Sequence, residues 1–114
     1  MHRRILFVCS QNKLRSPTAE AVFAGHPYVD VDSAGLNHDA EVPLSPEQIQ
    51  WADLICVMEK SHRNKLSKRF RKYLGGKRIV VLNIPDNYDY MDPALVELVK
   101  QRCAQFVPPT PEIR

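Results

Sequence analysis

The hydrophobic pattern of the chain consists of short apolar runs separated by longer amphipathic segments. Four runs predict strands, at residues 5–8, 28–32, 54–58 and 79–82. The second run alternates apolar and acidic residues, which favours a half-exposed strand at a sheet edge. The segments between the runs predict helices at residues 17–24, 46–51 and 59–74, and a last helix after Asp92. This alternation indicates an α/β fold, a four-stranded parallel sheet with helices on both faces and right-handed crossovers.

Length and composition restrict the class of protein. The 114 residues suffice for one domain at 1–107 with its own core, followed by a tail at 108–114 that cannot continue the last helix. Three widely spaced cysteines make neither a disulfide framework nor a zinc site. No apolar run approaches a membrane span, and the first residues lead straight into a strand. We therefore expect a cytoplasmic protein with no membrane partner, metal or cofactor.

The net charge of +3 conceals an uneven distribution. Residues 59–78 hold nine Lys or Arg and one acid, whereas the rest of the chain holds seven bases and twelve acids. Such a segment is most often a solvated helix face. Its functional interpretation is attraction of acidic partners, either phosphorylated protein segments or nucleic acid. The segment lacks regularly interleaved aromatic residues for stacking bases, so nucleic acid is the less favoured partner.

The stretch from Cys9 to Arg15 joins the first strand to the first helix. Ser16 and Pro17 predict the helix start, with Ser16 as the cap and Pro17 at the first helical position. Only five residues separate Cys9 from Arg15, so the backbone N–H groups converge before the helix N-terminus and form an anion site. We expect a thiolate at Cys9, because the helix dipole, the loop amides and the guanidinium favour the charged form.

A thiolate and a guanidinium around one tetrahedral anion are the groups that phosphoryl transfer through a phosphocysteine requires. Arg15 offers a planar pair of donors that matches two phosphate oxygens. The other interpretation of Cys9 is a small buried apolar residue, which its place before a tight loop and a capped helix disfavours. The candidate substrate-binding residues of the loop are Ser10, Gln11, Asn12, Lys13, Leu14 and Ser16.

A phosphate ester also needs a proton donor for its leaving oxygen, and the loop after the fourth strand offers three aspartates. Asp86 directly follows the strand, where the anion should lie, so we rank it ahead of Asp92 and Asp89. Asp92 precedes a proline, and a capping role explains it without any chemistry. Tyr88 is a candidate wall for an aromatic leaving group.

These residues resemble the low-molecular-weight protein tyrosine phosphatases, in which Cys, five residues, Arg, Ser and Pro follow the first strand. The matching positions are Cys9, Asn12, Arg15, Ser16 and Pro17, with further likeness at residues 33–35 and 52–62. The resemblance covers nearly the whole chain and implies that family's Rossmann-like fold. It also implies a phosphatase that hydrolyses phosphate monoesters, with protein phosphotyrosine as the expected substrate and no cofactor.

By resemblance, Cys9 is the nucleophile, Arg15 the phosphate clamp, Ser16 a hydroxyl that steadies the thiolate and Asn12 a residue that shapes the loop. The chain departs from the family pattern in several places. Gln11 replaces a glycine, and Leu14 replaces a second loop cysteine. The family's Asp-Pro acid motif is divided between residues 86 and 92, and the segment between residues 35 and 52 is shorter.

An arsenate reductase of the thioredoxin-coupled kind resembles the same fold and loop. Such an enzyme needs two further cysteines near each other to resolve its intermediate. Cys56 and Cys103 are 47 residues apart, and each falls in an apolar pattern, so we rank this function low. Thioredoxin-dependent turnover of arsenate would reverse that ranking.

A non-catalytic module is the remaining alternative. Its loop would hold a phosphorylated partner or RNA, and its basic segment would serve as a docking face. Binding at physiological salt without any phosphatase turnover would favour it over the enzyme.

Overall fold

The computed structural model describes residues 3–108, in which four strands alternate with five helices. In chain order the elements are β1 (Arg3–Cys9), α1 (Arg15–Phe23), β2 (Val29–Gly35), α2 (Pro46–Trp51), β3 (Leu54–Val57), α3 (Lys60–Arg69), α4 (Arg71–Leu74), β4 (Arg78–Val81) and α5 (Pro93–Cys103). Every strand pair is parallel, and the strand order is β2-β1-β3-β4. The predicted α/β fold is therefore confirmed, with β2 at an edge as its alternating pattern indicated.

The core lies on both faces of the sheet because alternate residues of each buried strand point to opposite sides. Ile5, Phe7 and Cys9 of β1 belong to the cluster covered by α1 and α5. Leu6 and Val8 belong to the cluster covered by α2, α3 and α4. Cys9, the last residue of the central strand β1, thus reaches the carboxyl edge of the sheet, where parallel sheets bind ligands.

Most strand ends differ from the prediction by one or two residues, and three further differences have a structural cause. Helix α1 begins at Arg15 with Leu14 at its N-cap, so Ser16 lies inside the first turn and does not cap it. Strand β2 continues to Gly35, because its last three residues pair with the end of β1. The helix predicted over 59–74 is interrupted at Phe70, which leaves the helical backbone (φ −120°) and buries its ring.

Two predicted helix caps are confirmed. Ser45 and Gln48 form a reciprocal capping box at the start of α2, and the Asp92 carboxylate accepts the Ala94 N–H at the start of α5. Between residues 3 and 108, no helix is both long and apolar enough to cross a membrane. The tail predicted at 108–114 lies outside the described residues apart from Pro108.

Candidate active site

The loop between β1 and α1 is anchored by its carbonyl groups. Main-chain N–H groups of the segment 36–41 donate to three of them, from Leu36 to Cys9 (2.9 Å), from Asn37 to Ser10 (3.0 Å) and from Glu41 to Gln11 (3.0 Å). A trans peptide directs its C=O and its N–H to opposite sides. The N–H groups of residues 10–12 therefore point away from this segment, toward the inside of the loop, as an anion site requires.

The Cys9 sulfur is held at the base of this loop. The Asn12 N–H donates to Cys9 Sγ at 3.2 Å, and Ser16 Oγ lies 2.9 Å from the same sulfur. Asn12 adopts a left-handed backbone (φ 57°), which closes the loop. Its side-chain amide donates to Ser16 Oγ and to Ser33 Oγ, both at 2.9 Å, so buried polar side chains fix the loop from behind.

Gly35, at the end of β2, lets the loop approach the sheet edge. A Cβ atom added at this position would lie 2.7 Å from the Ser10 carbonyl oxygen, 2.9 Å from the Gln11 carbonyl carbon and 2.5 Å from Ala40 Cβ. Two of these atoms belong to the backbone of the loop and cannot rotate away. A glycine is therefore required here because any side chain would displace the loop.

The departures from the family pattern within the loop fit its geometry. The left-handed backbone of the loop is at Asn12, so Gln11 needs no glycine-like conformation. Leu14 forms the N-cap of α1 without a side-chain hydrogen bond. Lys13 is exposed beside them, so the loop presents a cation to solvent.

Arg15 is buried and held by groups from two other strand ends. Its Nη1 donates to Glu59 Oε2 at 2.5 Å and to the Ile84 carbonyl at 2.8 Å. Its Nε lies 3.6 Å from Asp86 Oδ1. The two Nη1 hydrogen bonds fix the guanidinium on one side, and its other side faces Asp86 through Nε.

Glu59 and His62 are site residues that the sequence pattern did not lead us to expect. The Arg15 hydrogen bond holds the pKa of Glu59 below its usual range. His62, in the first turn of α3, accepts the Glu59 N–H at Nδ1 (3.2 Å), and its Nε2 lies 3.0 Å from Ser10 Oγ. The signal in the sequence was the spacing of Glu59 and His62 after a strand, which is that of a capping box.

The hydrogen bonds of His62 define its tautomer. Because Nδ1 accepts a hydrogen bond from the Glu59 N–H, the neutral ring carries its proton on Nε2, and this Nε2–H donates a hydrogen bond to Ser10 Oγ. Burial, and then the nearby Arg15 cation, lower the pKa of His62. The neutral ring thus leaves the Ser10 hydroxyl proton free to donate toward the inside of the loop.

Mild acidification should lower the free energy of unfolding less in the His62→Gln variant than in the wild type. The pKa of folded His62 lies below the value of 6.5 for the unfolded chain. Between those two values the unfolded chain binds a proton that the folded chain does not, so the wild-type free energy of unfolding falls as the pH drops below 6.5. Urea unfolding at a series of pH values tests this, with the exposed His38→Gln as the control for loss of a histidine. Equal slopes for wild type and His62→Gln would contradict the assignment.

The loop and the β4–α5 connection enclose a cavity of about 110 Å³. It is lined by Cys9, Ser10, Gln11, Lys13, Leu14, Arg15 and Asp86. This volume is well below the roughly 300–1,000 Å³ of pockets for drug-sized ligands. The cavity therefore has room for one small anionic group, with the remainder of any ligand outside.

Several predicted site residues lie outside that cavity. Asn12 and Ser16 are buried behind its wall. Asp92 is used as the cap of α5, whereas Asp86 lies at the mouth with its side chain 63% exposed. The partly buried Tyr88 packs against the α1/α5 core cluster and is not part of the lining. Of the three aspartates in this loop, only Asp86 lines the cavity.

Cys56 and Cys103 lie in the core cluster on the α1/α5 face, as apolar packing predicted. Burial raises the pKa of both thiols, that of Cys103 to about 12. Protonated, buried thiols are poor nucleophiles, which argues against their use as resolving cysteines. Within residues 3–108, no three His, Cys, Asp or Glu side chains are grouped to hold a metal ion.

The protein is thus an α/β protein with a tight turn between β1 and α1 that holds the Cys9 sulfur beside Arg15. A family model described as low molecular weight phosphotyrosine protein phosphatase matches residues 4–44. The protein-arginine-phosphatase of Bacillus subtilis (strain 168) is 31% identical over 97 residues, a match that covers 60% of this chain and 64% of that protein. The chain thus matches less than two thirds of the length of this curated relative.

Two solved structures are also similar to this chain. YwlE arginine phosphatase from Geobacillus stearothermophilus is 25% identical, with a TM-score of 0.68 over 90% of this chain and 91% of that one. Vibrio vulnificus Wzb in complex with benzylphosphonate is also 25% identical, with a TM-score of 0.71 over 93% and 97%. Residues 4–44 thus match this family model, and the chain shares its fold with both of these structures.

Proposed function

We propose that this protein is a cysteine-dependent phosphatase that hydrolyses protein phosphotyrosine through a phosphocysteine on Cys9. One observation carries the proposal. The Cys9 sulfur, with an N–H donor at 3.2 Å and a hydroxyl at 2.9 Å, opens into a cavity that Arg15 and Asp86 also line. A nucleophile, a cationic clamp and an acid thus surround one space of phosphoryl size.

In the first step the Cys9 thiolate attacks phosphorus. The S–P bond forms as the bond to the leaving oxygen breaks, and Asp86 gives its proton to that oxygen. The N–H groups of the loop and the Arg15 guanidinium stabilise the charge on the three remaining phosphoryl oxygens. The Ser10 hydroxyl supplies one further donor at the rim, oriented by His62.

In the second step water attacks the phosphocysteine. The Asp86 carboxylate accepts a proton from the water as its oxygen bonds to phosphorus, and the S–P bond breaks. Inorganic phosphate leaves, and Cys9 and Asp86 return to their starting protonation states. A thiolate nucleophile requires a reducing compartment, so the proposal includes the cytoplasm as its location.

The Lys13 cation at the cavity rim favours phosphotyrosine over phosphoarginine as the proposed substrate. Hydrolysis of phosphotyrosine releases a neutral phenol, whereas the guanidinium released from phosphoarginine is a cation that the Lys13 ammonium would repel. Vibrio vulnificus Wzb, a related structure, was solved with benzylphosphonate, in which the anion is attached to an arylmethyl group. The Bacillus subtilis relative is a protein-arginine-phosphatase, so both substrates belong in the test.

The proposal predicts metal-independent turnover. Para-nitrophenyl phosphate should be hydrolysed in the presence of a chelator, and vanadate should inhibit the reaction. Peptides of one sequence that carry phosphotyrosine, phosphoserine or phosphoarginine should give their highest kcat/KM with phosphotyrosine. Turnover of none of these substrates would refute the phosphatase assignment, and a preference for phosphoarginine would refute the substrate assignment alone.

Replacing Asp86 with Asn should lower kcat by about 100-fold, because the amide can neither protonate the leaving oxygen nor accept a proton from water. Asp92→Asn is the matched control. Asparagine caps helices about as well as aspartate does, so this variant should keep both its stability and its kcat. Steady-state hydrolysis of para-nitrophenyl phosphate measures kcat for both variants. A large loss with Asp92→Asn and a small one with Asp86→Asn would show that Asp92, not Asp86, is the acid.

A further inference from the structure

Helices α3 and α4 carry a surface of uncompensated positive charge. No acidic residue occurs between residues 60 and 74, and among the described residues no ion pair reaches any of the basic ones. We call these cations the α3–α4 basic face: Lys60, Arg63, Lys65, Lys68, Arg69, Arg71 and Lys72. Repulsion among so many like charges destabilises the folded chain, and binding of an anionic partner relieves this repulsion.

One part of this face forms the wall of a groove. Residues 36–39 line one side, and Lys65, Lys68 and Arg69 line the other, around a volume of about 620 Å³. An Arg69 Nη1–H donates to the Leu36 carbonyl and ties the two sides together. Asp39 is the single acid in the groove, so three cations face one anion.

Both walls of this groove are bonded to the same residue of the catalytic loop. The Asn37 N–H donates to the Ser10 carbonyl at 3.0 Å, and His62 at the start of α3 donates to Ser10 Oγ at 3.0 Å. Ser10 also lines the small cavity above Cys9. The groove therefore begins beside the phosphoryl site and runs along α3 away from it.

The size of the phosphoryl site makes a second contact region necessary for selective binding. A cavity of about 110 Å³ takes the phosphoryl group alone, so the chain on either side of a phosphorylated residue must lie on the surrounding surface. A segment that follows the groove would meet the Lys65 and Lys68 ammonium groups. Acidic side chains are the complementary partners of such a surface.

We propose that this groove binds acidic residues adjacent to the phosphorylated side chain of a protein substrate, which rests on the proposed phosphatase function. A protein is favoured over nucleic acid by the position of the aromatic rings. Phe70 is buried, and Tyr73 packs against the core cluster on the same face of the sheet. Neither ring offers a platform on which bases could stack.

The test compares two phosphotyrosine peptides of equal length, one with Asp and Glu beside the phosphotyrosine and one with Asn and Gln in their place. Wild-type kcat/KM should be about tenfold higher for the acidic peptide at low salt, and the preference should shrink as salt rises. Lys65→Gln/Lys68→Gln should remove most of the preference. The matched control is Lys72→Gln/Lys100→Gln, which removes the same charge outside the groove and should keep the preference.

Each other outcome rejects a stated part of the proposal. Equal kcat/KM for the two peptides, with normal turnover of para-nitrophenyl phosphate, would reject the groove and leave the phosphatase in place. An equal loss in both double variants would show that total charge, not the groove, attracts the peptide. Competitive inhibition by single-stranded RNA without any acidic-peptide preference would assign the surface to nucleic acid. Absence of all turnover would reject the phosphatase itself.

Discussion

Cys9→Ser is expected to abolish turnover, with kcat for para-nitrophenyl phosphate falling by at least about 10⁴-fold. A serine hydroxyl stays protonated at neutral pH, and no general base lies beside it, since its neighbours are the Asn12 N–H and the Ser16 hydroxyl. The replacement is smaller than the thiol and can accept the same hydrogen bond. The fold should therefore survive, and inorganic phosphate should still bind to the loop.

The matched control removes a thiol elsewhere. Cys103→Ala deletes a buried sulfur from the core cluster, so it should lower the free energy of unfolding by about 1 kcal/mol and leave kcat unchanged. Thermal unfolding and steady-state kinetics on both variants separate a lost nucleophile from a damaged fold. Cys9→Ser that keeps more than a hundredth of wild-type kcat would contradict the mechanism.

Gly35→Ala is expected to have the second-largest effect, although this residue never meets the substrate. The new methyl group would lie 2.7 Å from the Ser10 carbonyl oxygen and 2.9 Å from the Gln11 carbonyl carbon. The loop must shift to relieve these contacts, and misplacement of a catalytic group by about 1 Å can cost about 100-fold in rate. Overpacking should also cost about 1–3 kcal/mol of stability.

Gly25→Ala is the control that separates displacement of the catalytic loop from a general loss of stability. Gly25 has a positive φ of 77°, but no other atom lies within 4 Å of an added Cβ. Its substitution should lower stability by about 1 kcal/mol through backbone strain, with kcat unchanged. Gly35→Ala with wild-type kcat would show that the close approach of β2 does not set the shape of the loop.

The fold was largely predictable because its signals are local. Buried parallel strands are short apolar runs, and the Ser45 and Asp92 caps are recognisable in the sequence, so element order followed directly. The errors arose where a tertiary contact overrides a local preference. Ser16 resembles a cap, but its hydroxyl is used beside the Cys9 sulfur and the Asn12 amide. Phe70 interrupts a basic helix because its ring is buried in the core.

The candidate site was predictable where the sequence itself places a residue in the loop that follows a strand. The positions of Cys9 and Arg15 followed from one short loop, and Asp86 from its place after β4. Glu59 and His62 were missed as site residues because their roles depend on contacts to Arg15 and Ser10, 44 and 52 residues away. Such contacts depend on which strand ends are neighbours, and the strand order became known only with the sheet.

The most direct test of the central claim is detection of the intermediate on Cys9. Asp86→Asn should slow attack by water, so mixing this variant with para-nitrophenyl phosphate and denaturing it within milliseconds should trap the phosphocysteine. Mass spectrometry of the digested protein should then find one phosphoryl group on the peptide that contains Cys9, and none in the Cys9→Ala/Asp86→Asn double variant, whose alanine has no nucleophilic atom. Active protein that releases nitrophenol without any phosphoryl group on Cys9 would contradict the account.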